Sequence, residues 1–180
     1  MRYAKLLPLV GVFLAGCEMA DIDTPPIMVT PKVASNAVGI DVYARPRAQG
    51  NPVPRFRGQE TIPVRTRGKG PKGSANAELT GVPCTLDAGV YSARFQTPAN
   101  LIVPDYGPNS PAIFVRCEHP DGRSGSTTVS PYNFTAAQRS NSAVGTGLLG
   151  AIVIGAVNAA ARDDEKDEFK YPTITVNLKD

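Results

Sequence analysis

The first side chain that could do chemistry is the thiol of Cys17, which directly follows Leu14-Ala15-Gly16. A short cationic start and an apolar run from residue 6 to residue 15 precede it. This order is typical of a bacterial secretory signal cut by the lipoprotein peptidase, which requires small residues before its cysteine. We therefore predict a signal peptide at residues 1–16 and a mature protein that begins at an acylated Cys17.

Acylation of Cys17 would anchor the protein to a membrane. A diacylglyceryl thioether and an N-acyl chain such as palmitate bury many methylene groups, each contributing about 0.8 kcal/mol. The alternative is an ordinary signal peptide or an N-terminal membrane helix, but the apolar run is shorter than the roughly 20 residues that span a bilayer. Glu18 stands where an aspartate would retain a lipoprotein of enteric bacteria in the inner membrane. We expect the outer membrane, with the protein facing the periplasm.

Two further cysteines, Cys84 and Cys117, would share this oxidising compartment. Two cysteines in an exported domain most simply form one disulfide bond. The alternative is a redox-active or metal-binding pair, but the two residues lack the Cys-x-x-Cys spacing of such sites. The sequence therefore predicts a Cys84–Cys117 disulfide.

Arginines recur in pairs, two residues apart and at ten-residue steps: Arg45, Arg47, Arg55, Arg57, Arg65 and Arg67. In an extended strand, residues two apart share a face, so each pair can present two guanidinium groups to a phosphate or carboxylate. We predict anion-binding sites for a glycan or lipid of the envelope. The alternative is a solvated loop that the arginines keep soluble. Phe56 is the one aromatic residue among them, which disfavours nucleic acid as a partner.

Residues for catalysis are sparse. His119 is the only histidine, and no serine lies in a nucleophile-elbow pattern. The acidic run at residues 163–168 lacks the ligand spacing of a calcium loop, and we expect a solvated helix end there. The sequence predicts no catalytic residue, no metal and no cofactor, and hence a non-enzymatic protein. The alternative is an envelope hydrolase that uses paired carboxylates such as Asp87 or Asp105.

The uncharged segment at residues 143–161 is rich in alanine and glycine. Its four-residue spacing predicts a helix with one close-packing face of small residues: Gly147, Ala151, Gly155 and Ala159. Three interpretations remain open. The helix packs on its own domain, on a partner such as another envelope protein or a second copy, or on the membrane.

Composition and patterning predict a mainly β protein. The chain has 17 glycines and 17 prolines in 180 residues, and its formal net charge of +3 indicates no partner class. Turn residues separate short strand-like runs, and Asp121-Gly122 predicts a hairpin turn. The runs are 27–33, 39–44, 61–66, 90–96, 100–103, 112–118, 126–129 and 173–178.

We predict a small antiparallel β-sandwich with one Ala/Gly-rich helix near the C-terminus. The lipidated N-terminus would continue into a tether over residues 17–26. The sandwich would occupy residues 27–133. Residues 134–180 would hold the helix, an acidic break and a final strand.

Residues 81–86 precede a strand-like run, and the glycine-rich residues 145–157 precede the final strand at 171–178. With the predicted signal ending at Cys17, this pattern gives a resemblance to bacterial envelope lipoproteins with a PEGA-like, transthyretin-like β-domain. It implies a non-enzymatic binding or scaffolding module at the cell envelope. Ligand, partner and oligomeric state stay open.

Overall fold

A computed structural model of the chain describes residues 19–70, 74, 76–141 and 162–179. Two predicted features lie outside these residues. One is the signal peptide with Cys17, and the other is the Ala/Gly-rich segment with Gly147, Ala151, Gly155 and Ala159. Within the described part of the chain, no helix has the length and apolar character needed to cross a membrane.

Short strands make up most of the described structure. They are β1 (Ile27–Met28), β2 (Thr30–Pro31), β3 (Gly58–Gly68), β4 (Ala77–Leu79), β5 (Val82–Asp87), β6 (Tyr91–Thr97), β7 (Ala99–Asp105), β8 (Ile113–Glu118), β9 (Ser124–Val129), β10 (Tyr132–Asn133), β11 (Phe169–Lys170) and β12 (Ile174–Asn177). Helices α1 (Ala44–Ala48) and α2 (Phe134–Asn141) and 3-10 turns at Ala34–Asn36 and Gly107–Asn109 connect them.

The strands form two main sheets, as the predicted β-sandwich requires. Sheet 1 has the order β1-β7-β3-β12, with β4 also paired to β3. Sheet 2 has the order β2-β6-β5-β8-β9, and β10 pairs with β11. The ladders are antiparallel except for the β1–β7 and β12–β3 pairings, which are parallel. The prediction of a mainly β, sandwich-like fold is confirmed.

Alternation of side chains produces the core between the sheets. In β5, Val82, Cys84 and Leu86 are buried, whereas the residues between them are exposed. The strand β8 shows the same alternation. Successive side chains of a strand point to opposite faces, so one face of each sheet packs inward and the other faces solvent.

The chain links the two sheets at both edges of the sandwich. At one edge the chain passes from β1 in sheet 1 directly to β2 in sheet 2. At the other edge Ser124 and Lys179 exchange two backbone hydrogen bonds, which joins β9 to the residues that follow β12. A Cβ atom at Gly125 would collide with the carbonyl oxygen of Asn177, so this close approach requires glycine.

Most of the predicted strands are present, but their limits differ. The expected strand at 39–44 is wrong: Val38 and Asp41 form only an isolated bridge, and α1 begins at Ala44. The strands β4, β5, β10 and β11 are additional. Pro83 has no backbone N–H to donate to a neighbouring strand, so the sequence at 82–87 is not typical of a strand within a sheet. The turn at Asp121-Gly122 does connect β8 to β9, with Gly122 at a φ of 96°.

Cys84 and Cys117 stand directly opposite each other on β5 and β8 and are joined by a disulfide bond. The predicted pairing is therefore confirmed. Both sulfur-bearing residues are buried in the core. The bond links residues 33 positions apart, and closing a loop of this size stabilises a fold by about 3 to 4 kcal/mol in the chain-entropy model.

Replacing both cysteines in the Cys84→Ala/Cys117→Ala variant should lower the melting temperature by about 10 °C, because the unfolded chain gains loop entropy. Circular dichroism during heating measures this change. Either single replacement should lower it by a similar amount, since each removes the same bond. Wild-type protein treated with reductant is the matched control. The disulfide bond would be contradicted if the unfolded, unreduced protein had two thiols that can be alkylated, besides any at Cys17.

Candidate functional site

The first predicted arginine pair does not form a fork. Arg45 and Arg47 lie in α1 rather than in an extended strand, so the two residues do not share a face as expected. Arg47 donates hydrogen bonds to the Asp41 carboxylate, the shorter being 2.6 Å, and to the carbonyl oxygen of Pro54. Its charge is thus used to fold the segment before β3. Arg45 is exposed.

The second pair is divided between the surface and an internal contact. Arg55 is exposed, whereas the guanidinium group of Arg57 donates to the backbone carbonyl oxygens of Asp164 and Asp167. That guanidinium group lies over Gly107, where a Cβ atom would overlap it. Arg57 therefore holds residues 162–168 against the end of the sandwich.

The third pair has the predicted geometry. Arg65 and Arg67 both point to the outer face of β3, because the residues between and beside them are buried. Arg65 makes an ion pair with Glu78 and also donates to the carbonyl oxygen of Ala20 at 2.8 Å. Of the six predicted arginines, Arg47, Arg57 and Arg65 thus have internal partners, and the structure does not bring the three pairs to one strand.

A different pair of arginines flanks a groove on the outer face of sheet 2. Arg94 on β6 pairs in register with Thr85 on β5, and Thr85 pairs with Arg116 on β8. The groove has a volume of about 610 Å³. The outward-facing side chains that line it are Pro83, Thr85, Arg94, Gln96, Arg116 and Glu118.

The groove has a chemistry suited to anions. Strands lie about 4.8 Å apart, which puts the backbones of Arg94 and Arg116 roughly 10 Å from each other across Thr85. Two guanidinium groups and a hydroxyl group at this spacing can bracket a phosphate or carboxylate. Arg116 also pairs with Glu118 at 2.6 Å, but both side chains are exposed, and such pairs contribute little.

Sequence reasoning missed Arg94 and Arg116 because no short spacing connects them. Alternation along β6 and β8 does place both on the solvent-facing side. Only the register through β5 shows that they lie in one cross-strand row, and β5 itself was not predicted as a strand. A prediction of β5 with its pairing would have found the groove.

A second candidate site is a pocket formed by β3, β7 and β11. Glu60, Asp105, Glu168 and Lys170 line a pocket of about 350 Å³. Burial raises the pKa of Glu60 to about 7, and the negative charges of Asp105 and Glu168 also raise it. The Tyr171 N–H, which donates to Glu60 at 3.0 Å, and the charge of Lys170 oppose that rise. Titratable groups with such shifts concentrate at functional sites.

The acids named as hydrolase candidates have different surroundings. Asp105 lines the Glu60 pocket, and its carboxylate also accepts a hydrogen bond from the Gly107 N–H. Asp87 is paired with Lys32 at 2.7 Å and accepts from the Gly89 N–H, which orders the β5–β6 turn. Only Asp105 therefore remains beside another carboxyl group in a pocket.

The acidic run at 163–168 is largely exposed, as expected, except at Asp167, and the predicted helix before it lies outside the described residues. Asp167 is buried, and its carboxylate accepts hydrogen bonds from the Asn133 side chain at 2.7 Å and from Arg139 at 3.1 Å. The hydrogen bond from Asn133 is the main cause that lowers the pKa of Asp167. This residue joins α2 to the segment that leads into β11.

His119 lies in the β8–β9 turn, with its Nδ1 atom 2.8 Å from the Asp121 carboxylate. Among the described residues, no group of three or more histidine, cysteine and acidic side chains is arranged to hold a metal ion. Comparison of the chain with models of protein families, with curated proteins and with solved structures gives no match.

The raised pKa of Glu60 makes stability depend on pH. Between the unfolded value near 4.5 and the folded value near 7, the folded protein binds more protons than the unfolded chain, so stability falls as pH rises through this window. The Glu60→Gln variant keeps the acceptor for Tyr171 but loses the charge. Its melting temperature should exceed that of wild type by a few degrees at about pH 8 and differ little at about pH 5.

Thermal scans at both pH values test this expectation. Glu165→Gln, at an exposed position, is the matched control and should show no such pH-dependent gain. Equal melting temperatures of wild type and Glu60→Gln at the higher pH would contradict the assigned environment of Glu60.

Proposed function

We propose that this protein is a lipid-anchored, non-enzymatic envelope protein whose β-sandwich binds an anionic ligand in the groove of sheet 2. The observation that carries the proposal is the cross-strand row of Arg94, Thr85 and Arg116. It presents two cations and a hydroxyl group on an exposed sheet face. The ligand class is a phosphate- or carboxylate-bearing glycan or lipid of the envelope.

Two features support the envelope location. The Cys84–Cys117 bond is typical of proteins that fold outside the reducing cytosol. The residues that end at Cys17 predict export and acylation, and Glu18 favours the outer membrane with the domain in the periplasm. The resemblance to PEGA-like lipoproteins agrees with a binding or scaffolding role.

Binding of full-length, detergent-solubilised protein to labelled polyphosphate and to labelled polygalacturonate tests the groove. Each arginine removed should weaken binding about tenfold, since a charge-assisted hydrogen bond contributes roughly 1.5 to 3 kcal/mol. The Arg94→Gln/Arg116→Gln variant should therefore bind at least about a hundredfold more weakly to whichever polymer the wild type prefers.

The matched control is Arg45→Gln/Arg55→Gln, which removes the same charge from exposed positions outside the groove. It should leave the affinity nearly unchanged. An equal loss in both double variants would show nonspecific charge attraction. Failure of the wild type to bind either polymer would overturn an anion-binding groove.

The pocket at Glu60 favours one second candidate, an envelope hydrolase. A carboxyl group with a pKa of about 7 beside Asp105 is suited to act as a general acid near neutral pH. Incubation with purified peptidoglycan and measurement of released fragments test this role. Release by the wild type and its loss in Glu60→Gln would support hydrolysis, whereas no release by the wild type would exclude it for this substrate.

A further inference from the structure

The segment that follows the predicted lipidation site is docked on the sandwich. The Ala20 N–H donates to Glu78 at 2.7 Å, and Arg65 donates to the Ala20 carbonyl oxygen at 2.8 Å. The side chains of Arg65 and Glu78 are only 15% and 12% exposed. The ion pair of Arg65 and Glu78 on the outer face of sheet 1 thus binds both the N–H and the carbonyl oxygen of Ala20.

The charge of Glu78 is consistent with its contacts to Ala20 and Arg65. Burial acts to raise the pKa of Glu78, but the hydrogen bonds from Ala20 and Arg65 and the charges of Arg65 and Arg67 outweigh it and lower the pKa. Glu78 is therefore charged at neutral pH. Removing one partner of this partly buried ion pair leaves the other charge without its partner, so the positions of Ala20, Arg65 and Glu78 depend on one another.

The docked residue Ala20 lies close to Cys17 along the chain. Ala20 is three residues beyond Cys17, and an extended chain spans at most about 3.6 Å per residue, or roughly 11 Å in total. An acyl group on Cys17 would therefore hold Ala20, Arg65 and Glu78 close to the headgroup layer. Met19, between anchor and contact, is an exposed apolar side chain that suits this interface.

We propose that the Ala20 contact fixes the orientation of the domain, with the outer face of sheet 1 against the membrane surface. The proposal rests on the lipid anchor in the proposed function, and it changes the predicted tether over residues 17–26 to one that is docked at Ala20. The outer faces of the two sheets of a sandwich point in opposite directions. The groove of Arg94 and Arg116 then faces away from the lipid, toward ligands in the envelope space.

Fluorescence quenching on vesicles tests the orientation. Full-length lipidated protein carrying Asn177→Cys or Thr128→Cys is labelled with bimane and reconstituted into phosphatidylethanolamine–phosphatidylglycerol vesicles that contain a headgroup-nitroxide lipid. Asn177 lies on the outer face of sheet 1, next to Arg67, and Thr128 lies on the outer face of sheet 2. The label at residue 177 should be quenched several-fold more strongly than the label at residue 128.

Two variants test whether the Ala20 contact causes the difference in quenching between the two labels. Inserting a Gly-Ser linker of about six residues after Glu18 adds roughly 20 Å of reach and should remove the difference without altering the domain. The Arg65→Gln/Glu78→Gln variant should do the same. If quenching at the two positions stays unequal in the linker variant, the Ala20 contact does not fix the orientation of the domain.

Together these measurements distinguish failure of the proposed orientation from failure of the proposed lipid anchor or of the proposed anion-binding groove. Protein that does not float with the vesicles would overturn both the lipid anchor and the orientation. Protein that floats but shows equal quenching at the two positions would overturn only the orientation. Polyphosphate or polygalacturonate binding, measured in detergent, would be unaffected by either result.

Discussion

The bond between Cys84 and Cys117 ties β5, the middle strand of sheet 2, to its neighbour β8 within the core. It fixes the register in which Thr85 and Arg116 lie opposite each other one residue away. A disulfide bond is typical of proteins in an oxidising compartment, which agrees with the export that we propose from the residues ending at Cys17. One covalent link thus connects the fold with the row of groove residues.

The two outer faces of the sandwich differ in what occupies them. On sheet 1 Ala20 contacts the partly buried ion pair of Arg65 and Glu78, whereas on sheet 2 the groove is open to solvent.

The sequence predicted what depends on local pattern and missed what depends on long-range pairing. Alternation identified β6 and β8, and the cysteine count identified the disulfide. The run at 39–44 had strand-like residues, but Asp41 turns the chain by accepting hydrogen bonds from Arg47 and from Tyr106. Asp167 looked solvent-exposed because its partners, Asn133 and Arg139, lie about thirty residues earlier in the chain. The arginine spacing was real, yet three of those residues serve internal contacts.

We propose that the protein is exported, acylated and oxidised before it binds its ligand. Intact mass spectrometry of the protein extracted from membranes, alkylated without reductant, tests all three properties together. We predict the mass of a chain that begins at Cys17 and carries three acyl chains, less two hydrogens for the disulfide and with no alkyl group added. A chain that retains residues 1–16, lacks acyl groups or is alkylated at Cys84 and Cys117 would contradict the account.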